Sequence, residues 1–153
     1  MTTLLATLDS LPPLCRSLRN IADEGFNVKD ECYFLAALLR KADSVTRSRF
    51  FDSTGYECFV NSLHIEDYDD KAPLAQAIQF ISYVFAMWRT AEYAVPLVAV
   101  VNVDEGRVIV KFHAKRSTEQ WLSGNLEAYG DPTMSVQSLE DLAVFLASLR
   151  SGG

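Results

Sequence analysis

Glycine is scarce in this sequence, and no phosphate-binding loop can be built from what there is. Only seven of the 153 residues are glycine. None stands in a G-x-x-x-x-G-K-[ST], G-x-G-x-x-G or G-x-S-x-G arrangement, which removes the usual nucleotide-cradling loops and the exposed nucleophilic serine. Cysteine is equally sparse. Cys15, Cys32 and Cys58 form an odd set with no C-x-x-C pair, so neither a disulfide framework nor a cysteine zinc site is expected. Reduced thiols in a cytosol are. No run reaches the ~18 apolar residues of a membrane span, and the first residues lack the basic start and long apolar stretch of a signal peptide. Positive charge is in deficit too: 14 Lys and Arg face 20 Asp and Glu, for a net charge of −6. Nonspecific nucleic-acid binding needs a basic surface that releases counterions. Neither nucleic acid nor an anionic membrane is therefore the expected partner, and fast encounter with a basic protein is favoured.

What is present fits one soluble domain. Hydrophobic residues make up 49% and charged residues 22%, proportions that can bury a core without staples. Residues 1–150 are read as a single globular unit, and the closing Ser-Gly-Gly, 151–153, as a frayed tail or an expression scar. No internal repeat or linker divides the chain.

Periodicity supplies the elements. Residues 1–10 read as a short arm. A helix is expected from Pro12 to before Gly25, because proline suits a first turn and glycine a stop. A second helix is expected over about 28–43, capped by Asn27, with Phe34, Leu35, Leu38 and Leu39 as its stripe. "YECFVNSLHI", 56–65, is rich in β-branched and aromatic residues and reads as a strand. A long helix over 71–92 carries two apolar stripes, so it should be central and buried. "VPLVAVVNV", 95–103, and the alternating stretch from Arg107 to Lys115 read as a hairpin turning at Gly106. A short helix at 117–123 with Trp121, a short strand in "PTMSV" and a last helix "SLEDLAVFLASLR", capped by Ser138, complete the chain. The fold class is α+β. A small mixed sheet of three to four strands, with one parallel β-α-β crossover and a hairpin, should pack with four to five helices.

One stretch concentrates charge. "HIEDYDD" places Glu66, Asp67, Asp69 and Asp70 around Tyr68. One long helix joins the strand before these acids to the strand at 97–103. If the two strands share a sheet they should run parallel. Their C-terminal ends would then lie on one edge, bringing Glu66, Asp67, Asp69 and Asp70 together with Asp104 and Glu105. Antiparallel strands would instead separate the two groups.

Four chemistries compete for these residues. Hard cations want several carboxylate oxygens, and His64 stands beside them, so a metal-dependent hydrolase using Glu66, Asp67, Asp69 or Asp104 is the rival reading. The spacing is not that of an EF-hand loop, however. Acids before a helix also serve as caps and complement its dipole. Thiol–histidine catalysis between Cys58 and His64 fails on distance, since six strand residues span ~20 Å. A nuclease hairpin at "VDEGRVIVK" offers Asp104 and Lys111, but Ile109 occupies the place of the second acid. "RKADSVTRSRFF" joins Arg40, Lys41, Arg47 and Arg49 to Phe50 and Phe51, a stacking-and-charge pattern that is also the pattern of a solvated loop after a helix. No cofactor is expected.

Two segments carry a resemblance: "GYECFVNSLHIEDYDD", an aromatic-rich strand ending in acids, and "NLEAYGDPTMSVQSLEDLAVFLASL", a loop leading into a helix. Together, residues from about 56 to 149 resemble the small immunity proteins of bacterial contact-dependent growth inhibition and polymorphic toxin systems. That resemblance implies a non-enzymatic cytosolic inhibitor that binds one cognate toxin domain, often a basic nuclease. It transfers no site residue. The expected partner surface, Glu66, Asp67, Tyr68, Asp69, Asp70, Asp104 and Glu105, comes from the topology alone.

Overall fold

The protein is described here by a computed structural model covering residues 12–116 and 133–138. The expected arm at 1–10, the helix around Trp121, the last helix with Leu142, Phe145, Leu146 and Leu149, and the 151–153 tail lie outside the described residues.

The first helix, α1 (Arg16–Asp23), begins after the two prolines and stops as expected. Gly25 adopts φ +73° and donates its N–H to Ala22 O at 3.0 Å, a left-handed exit that glycine makes without strain. The second expected helix is different. Its first half is a hairpin of β1 (Phe26–Lys29) and β2 (Cys32–Leu35), and only α2 (Ala36–Lys41) is helical. Asp30 and Glu31 make the turn with φ of 53° and 62°. Left-handed backbone at both central positions matches the right-handed twist of the flanking strands.

The expected strand at 56–65 is also corrected. Residues Ser53–Val60 form α3, and only β3 (Ser62–His64) is extended. Asp52 caps α3, its carboxylate accepting from Gly55 N–H at 2.7 Å. Helical winding places Glu57 and Asn61 one turn apart on the same face, and that face is what the fold uses. Asn61 Oδ1 accepts from Leu35 N–H at 2.9 Å, and its Nδ2 donates to Tyr33 O and Phe112 O. Glu57 accepts from Tyr33 N–H at 2.7 Å and Ala114 N–H at 3.0 Å. Two helical side chains thus join the edge of the hairpin to the edge of the main sheet.

The central helix α4 (Pro73–Ala91) lies where periodicity puts it. Ala77, Ile78, Phe80, Ile81, Val84 and Phe85 on it are at most 1% exposed. Burying one such Phe or Ile side chain contributes ~1.5–3 kcal/mol. The helix covers one sheet face, made by Leu97, Ala99 and Val101 of β4 (Leu97–Asp104) with Val108, Val110 and Phe112 of β5 (Arg107–Ala114). At its C-terminal end Trp88 joins Phe26, Tyr33 and Tyr93 in a four-ring cluster with centroid separations of 4.4–6.4 Å. At its N-terminal end the buried Gln76 accepts from Cys15 N–H and donates to Pro13 O, both at 2.9 Å, fixing the chain ahead of α1.

The last described strand, β6 (Thr133–Gln137), is the one expected in "PTMSV". Ser138, expected to cap a helix, accepts from Leu97 N–H through its hydroxyl at 2.9 Å. The main sheet has the order β3-β5-β4-β6, and each hydrogen-bonded neighbour pair is antiparallel. The fold is α+β, with four α-helices and two antiparallel sheets among the described residues. Among the described residues no hydrogen-bonded neighbouring strands are parallel, so the expected mixed sheet is corrected to an antiparallel one. The direction of the two strands nevertheless holds. β3 and β4 are each antiparallel to β5, so they point the same way with β5 between them. This is a split β-α-β arrangement.

Candidate functional site

The split crossover decides where the acids lie. His64, Ile109 and Asn102 stand opposite one another across three strands. Beyond that line β3 passes into a 3-10 turn, Ile65–Asp67, and β4 runs on to Asp104. Both acidic groups therefore occupy the same end of the sheet. With one strand between them, β3 and β4 are ~10 Å apart. That is too wide for one cation to gather ligands from both backbones directly, yet close to the ~8–10 Å over which charges reinforce in physiological salt.

Each carboxylate has a definite position. Glu66 is partly buried and continues the β3–β5 ladder with its side chain: Oε2 accepts from Val108 N–H at 2.9 Å, and Oε1 lies 3.3 Å from His64 Nδ1. Burial opposes its ionisation, but the hydrogen bonds from Val108 N–H, its own N–H and His64 prevail and hold the carboxyl below its usual range. Asp69 Oδ1 accepts from Lys71 N–H at 2.8 Å and Ala72 N–H at 3.2 Å, just ahead of α4. The contact to Lys71 is an Asx turn, and Ala72 N–H, at the N-cap, is a donor that the helix start otherwise leaves unsatisfied. Asp67, Asp70 and Glu105 are exposed, and Asp104 is half-buried opposite Arg107. Glu105 and Gly106, at φ 49° and 82°, form the two-residue turn of the β4–β5 hairpin. This puts the Glu105 carboxylate at the tip of that end.

The seven expected residues thus share a location but divide by role. Glu66 and Asp69 bond to the protein's own backbone. Tyr68 is half-buried and packs against the core, and burial, with the nearby Asp67, pushes its phenol above its ordinary range. The outward carboxylates are Asp67, Asp70 and Glu105, with Asp104 beside them. Among the described residues no group of three or more His, Cys, Asp and Glu is placed to hold a metal ion.

Cys32, Cys58 and His113 are buried, whereas Cys15 is partly exposed. Burial pushes the Cys58 thiol up to about 12 and raises Cys32 as well. His113, which simple alternation along β5 would turn outward, is 9% exposed and donates from Nδ1 to Ala114 O at 2.9 Å. Burial lowers its pKa. A groove of about 430 Å³ at the end of α4 is lined by Trp88, Arg89, Tyr93, Val95 and Ser138, among others. Arg89 already donates to Ser138 O at 2.8 Å.

Sequence reasoning did not single out Glu57, Asn61 or Arg116. Arg116 meets Glu57 through both terminal nitrogens, at 2.6 and 2.8 Å. The available signal was two polar residues four apart, Glu57 and Asn61, inside an otherwise apolar stretch. A strand reading also puts them on one face, but ~13 Å apart instead of one helical turn, and so hides their joint role.

No helix among the described residues is long and apolar enough to cross a membrane. A family model described as the Uncharacterized protein PM0498 family matches residues 1–148, and the chain belongs to that family. No curated protein and no solved structure matches it.

Proposed function

We propose that this member of the PM0498 family is a non-enzymatic cytosolic binding protein that neutralises a cognate toxin domain, a basic nuclease being the best fit, through its acidic sheet end. The observation that carries the reading is the common direction of β3 and β4 across β5, which gathers Asp67, Asp70, Asp104 and Glu105 at one place. Acids clustered in this way steer a basic partner and raise the association rate. Affinity would then come from a few desolvated contacts near them. The segments "GYECFVNSLHIEDYDD" and "NLEAYGDPTMSVQSLEDLAVFLASL", which resemble immunity proteins, support the same reading.

The test is capture of partners from the native host with the tagged protein, washed at low and at high salt, beside an Asp67→Lys/Asp70→Lys variant. The expected result is one basic toxin domain, held at low salt, reduced at high salt and lost from the variant. Equal capture by wild type and variant would remove the acidic end from the proposal. Finding no stoichiometric protein partner would remove the binding function itself.

A further inference from the structure

A second surface carries the opposite charge and bears exposed aromatic rings. α3 turns Tyr56 and Val60 inward, but Phe59 on the same helix is 58% exposed, and Phe51, just ahead of the helix, is fully exposed. Phe50 links the two environments. It stacks on the buried Tyr56 with centroids 5.1 Å apart and meets Phe59 at 5.4 Å. Exposed apolar groups that adjoin one another mark contact surfaces more often than scattered ones do.

The charges around these rings are positive. Arg47 is held against the loop, donating to Phe50 O at 3.0 Å and to Ser53 Oγ at 3.3 Å. Arg49 is exposed. Asp52, the carboxylate next to the rings, keeps its charge but turns it to Gly55 N–H at the start of α3, and the loop's other acid, Asp43, stands four residues before Arg47. We propose that Phe50, Phe51 and Phe59, flanked by Arg47 and Arg49, form a docking surface for an apolar segment of a partner protein that carries carboxylates. Charge complementarity selects this occupant. A nucleic-acid strand needs a longer cationic track, whereas Arg40 is already paired with Glu24 and the chain carries a net charge of −6. One or two guanidiniums beside aromatic anchors suit a short acidic peptide, because Arg and aromatic side chains dominate the energy of such contacts. This surface does not depend on the acidic sheet end, and the two can be tested apart.

The experiment pans a random peptide library of about twelve residues displayed on phage against the full chain at physiological salt, with counter-selection on an Arg49→Glu/Phe51→Ala/Phe59→Ala variant. Thermal melting confirms that the variant, altered only at exposed positions, is folded. Enriched peptides should combine Asp or Glu with Leu, Phe or Trp. They should bind the variant at least about tenfold more weakly, a change of ~1.4 kcal/mol, and bind the Asp67→Lys/Asp70→Lys protein unchanged. Absence of enrichment, enrichment of basic peptides, or equal binding to the triple variant would overturn the proposal. Tighter binding of an oligothymidylate at these residues would replace the acidic peptide by a nucleic-acid strand and overturn it too.

Discussion

Replacing Glu57 by alanine should remove a large part of the stability of this fold. The side chain is fully buried and accepts four hydrogen bonds: from Tyr33 N–H at 2.7 Å, Ala114 N–H at 3.0 Å, and the two terminal nitrogens of Arg116 at 2.6 and 2.8 Å. The truncation leaves two amide donors without an acceptor, each costing ~1–3 kcal/mol. It also leaves a guanidinium without its counter-charge, and breaking a buried pair from one side costs ~3–5 kcal/mol. These costs overlap. The Arg116 side chain is 18% exposed and can recover some hydration, so the net loss should be ~3–5 kcal/mol. Domains of this kind hold only ~5–15 kcal/mol in total. At ~2–4 °C per kcal/mol for a chain of this size, Tm should fall by ~6–20 °C. Urea unfolding followed by far-UV circular dichroism measures the loss directly. Arg116→Met and the double variant complete a cycle whose coupling should exceed ~1 kcal/mol, as expected for groups in direct contact. A loss below ~1 kcal/mol for Glu57→Ala would refute the reasoning, since it would mean that the hairpin and the main sheet are not joined through this carboxylate.

The Cys58 thiol, which burial pushes up to about 12, should resist 5,5′-dithiobis(2-nitrobenzoate) at pH 8 in the folded protein and react only on unfolding. The partly exposed Cys15 should react first. His113 is held neutral by burial, so the unfolded chain takes up its proton near the ordinary ~6.5 while the fold does not. Stability from this group is complete above that pH and is lost as the pH falls from there toward the lower folded value. Wild-type Tm should therefore drop more between pH 7 and 5 than that of His113→Gln. Asp69→Ala should cost ~1 kcal/mol in chemical denaturation, because Lys71 and Ala72 N–H lose their acceptor in the manner of a removed helix cap. Asp67→Asn/Asp70→Asn should leave Tm unchanged or raise it slightly, most at low salt.

How much of this could be read in the residues depended on where the deciding interactions lie. The α4 helix shows two full apolar stripes over five turns, and the β4–β5 hairpin shows an apolar run and an alternating stretch joined by Glu105-Gly106, so both are legible from local pattern. The β1–β2 hairpin is not. Its turn is Asp30-Glu31 rather than a pair containing glycine or asparagine, and "CYFL" runs into "AALL" with no breaker between strand and helix. Residues 53–60 were hidden by their own composition. Tyr56, Phe59 and Val60 favour strands on average, while the helix is fixed by the Asp52 cap and by bonds from Glu57 and Asn61 to residues 24–59 positions away. Such non-local contacts leave no periodic trace.

The acidic end survived the misread strand for a physical reason. Its position required only that the last residues before the acids be extended, and that β3 and β4 point the same way in one sheet. Neither condition depends on whether residues 53–60 are helical, nor on whether β3 and β4 are neighbours. Inserting β5 between them widens the site to ~10 Å but does not move it. The widening is what separates the two original readings of these carboxylates. A hydrolase needs oxygens within ~2.0–2.6 Å of a shared cation, and two groups on strands this far apart do not meet that condition without reaching toward each other. Steering needs only that the charges lie within about a Debye length, a span that the ~10 Å between β3 and β4 matches. Glu66 and Asp69 are bound to backbone N–H groups and account for the start of α4 and the end of the β3–β5 ladder. Asp67, Asp70 and Glu105 have no comparable place in the backbone hydrogen bonding that builds this end of the fold. Like charges ~10 Å apart in water repel by ~0.4 kcal/mol per pair, so keeping them together slightly opposes folding. A basic partner is the binding class that turns that repulsion into attraction.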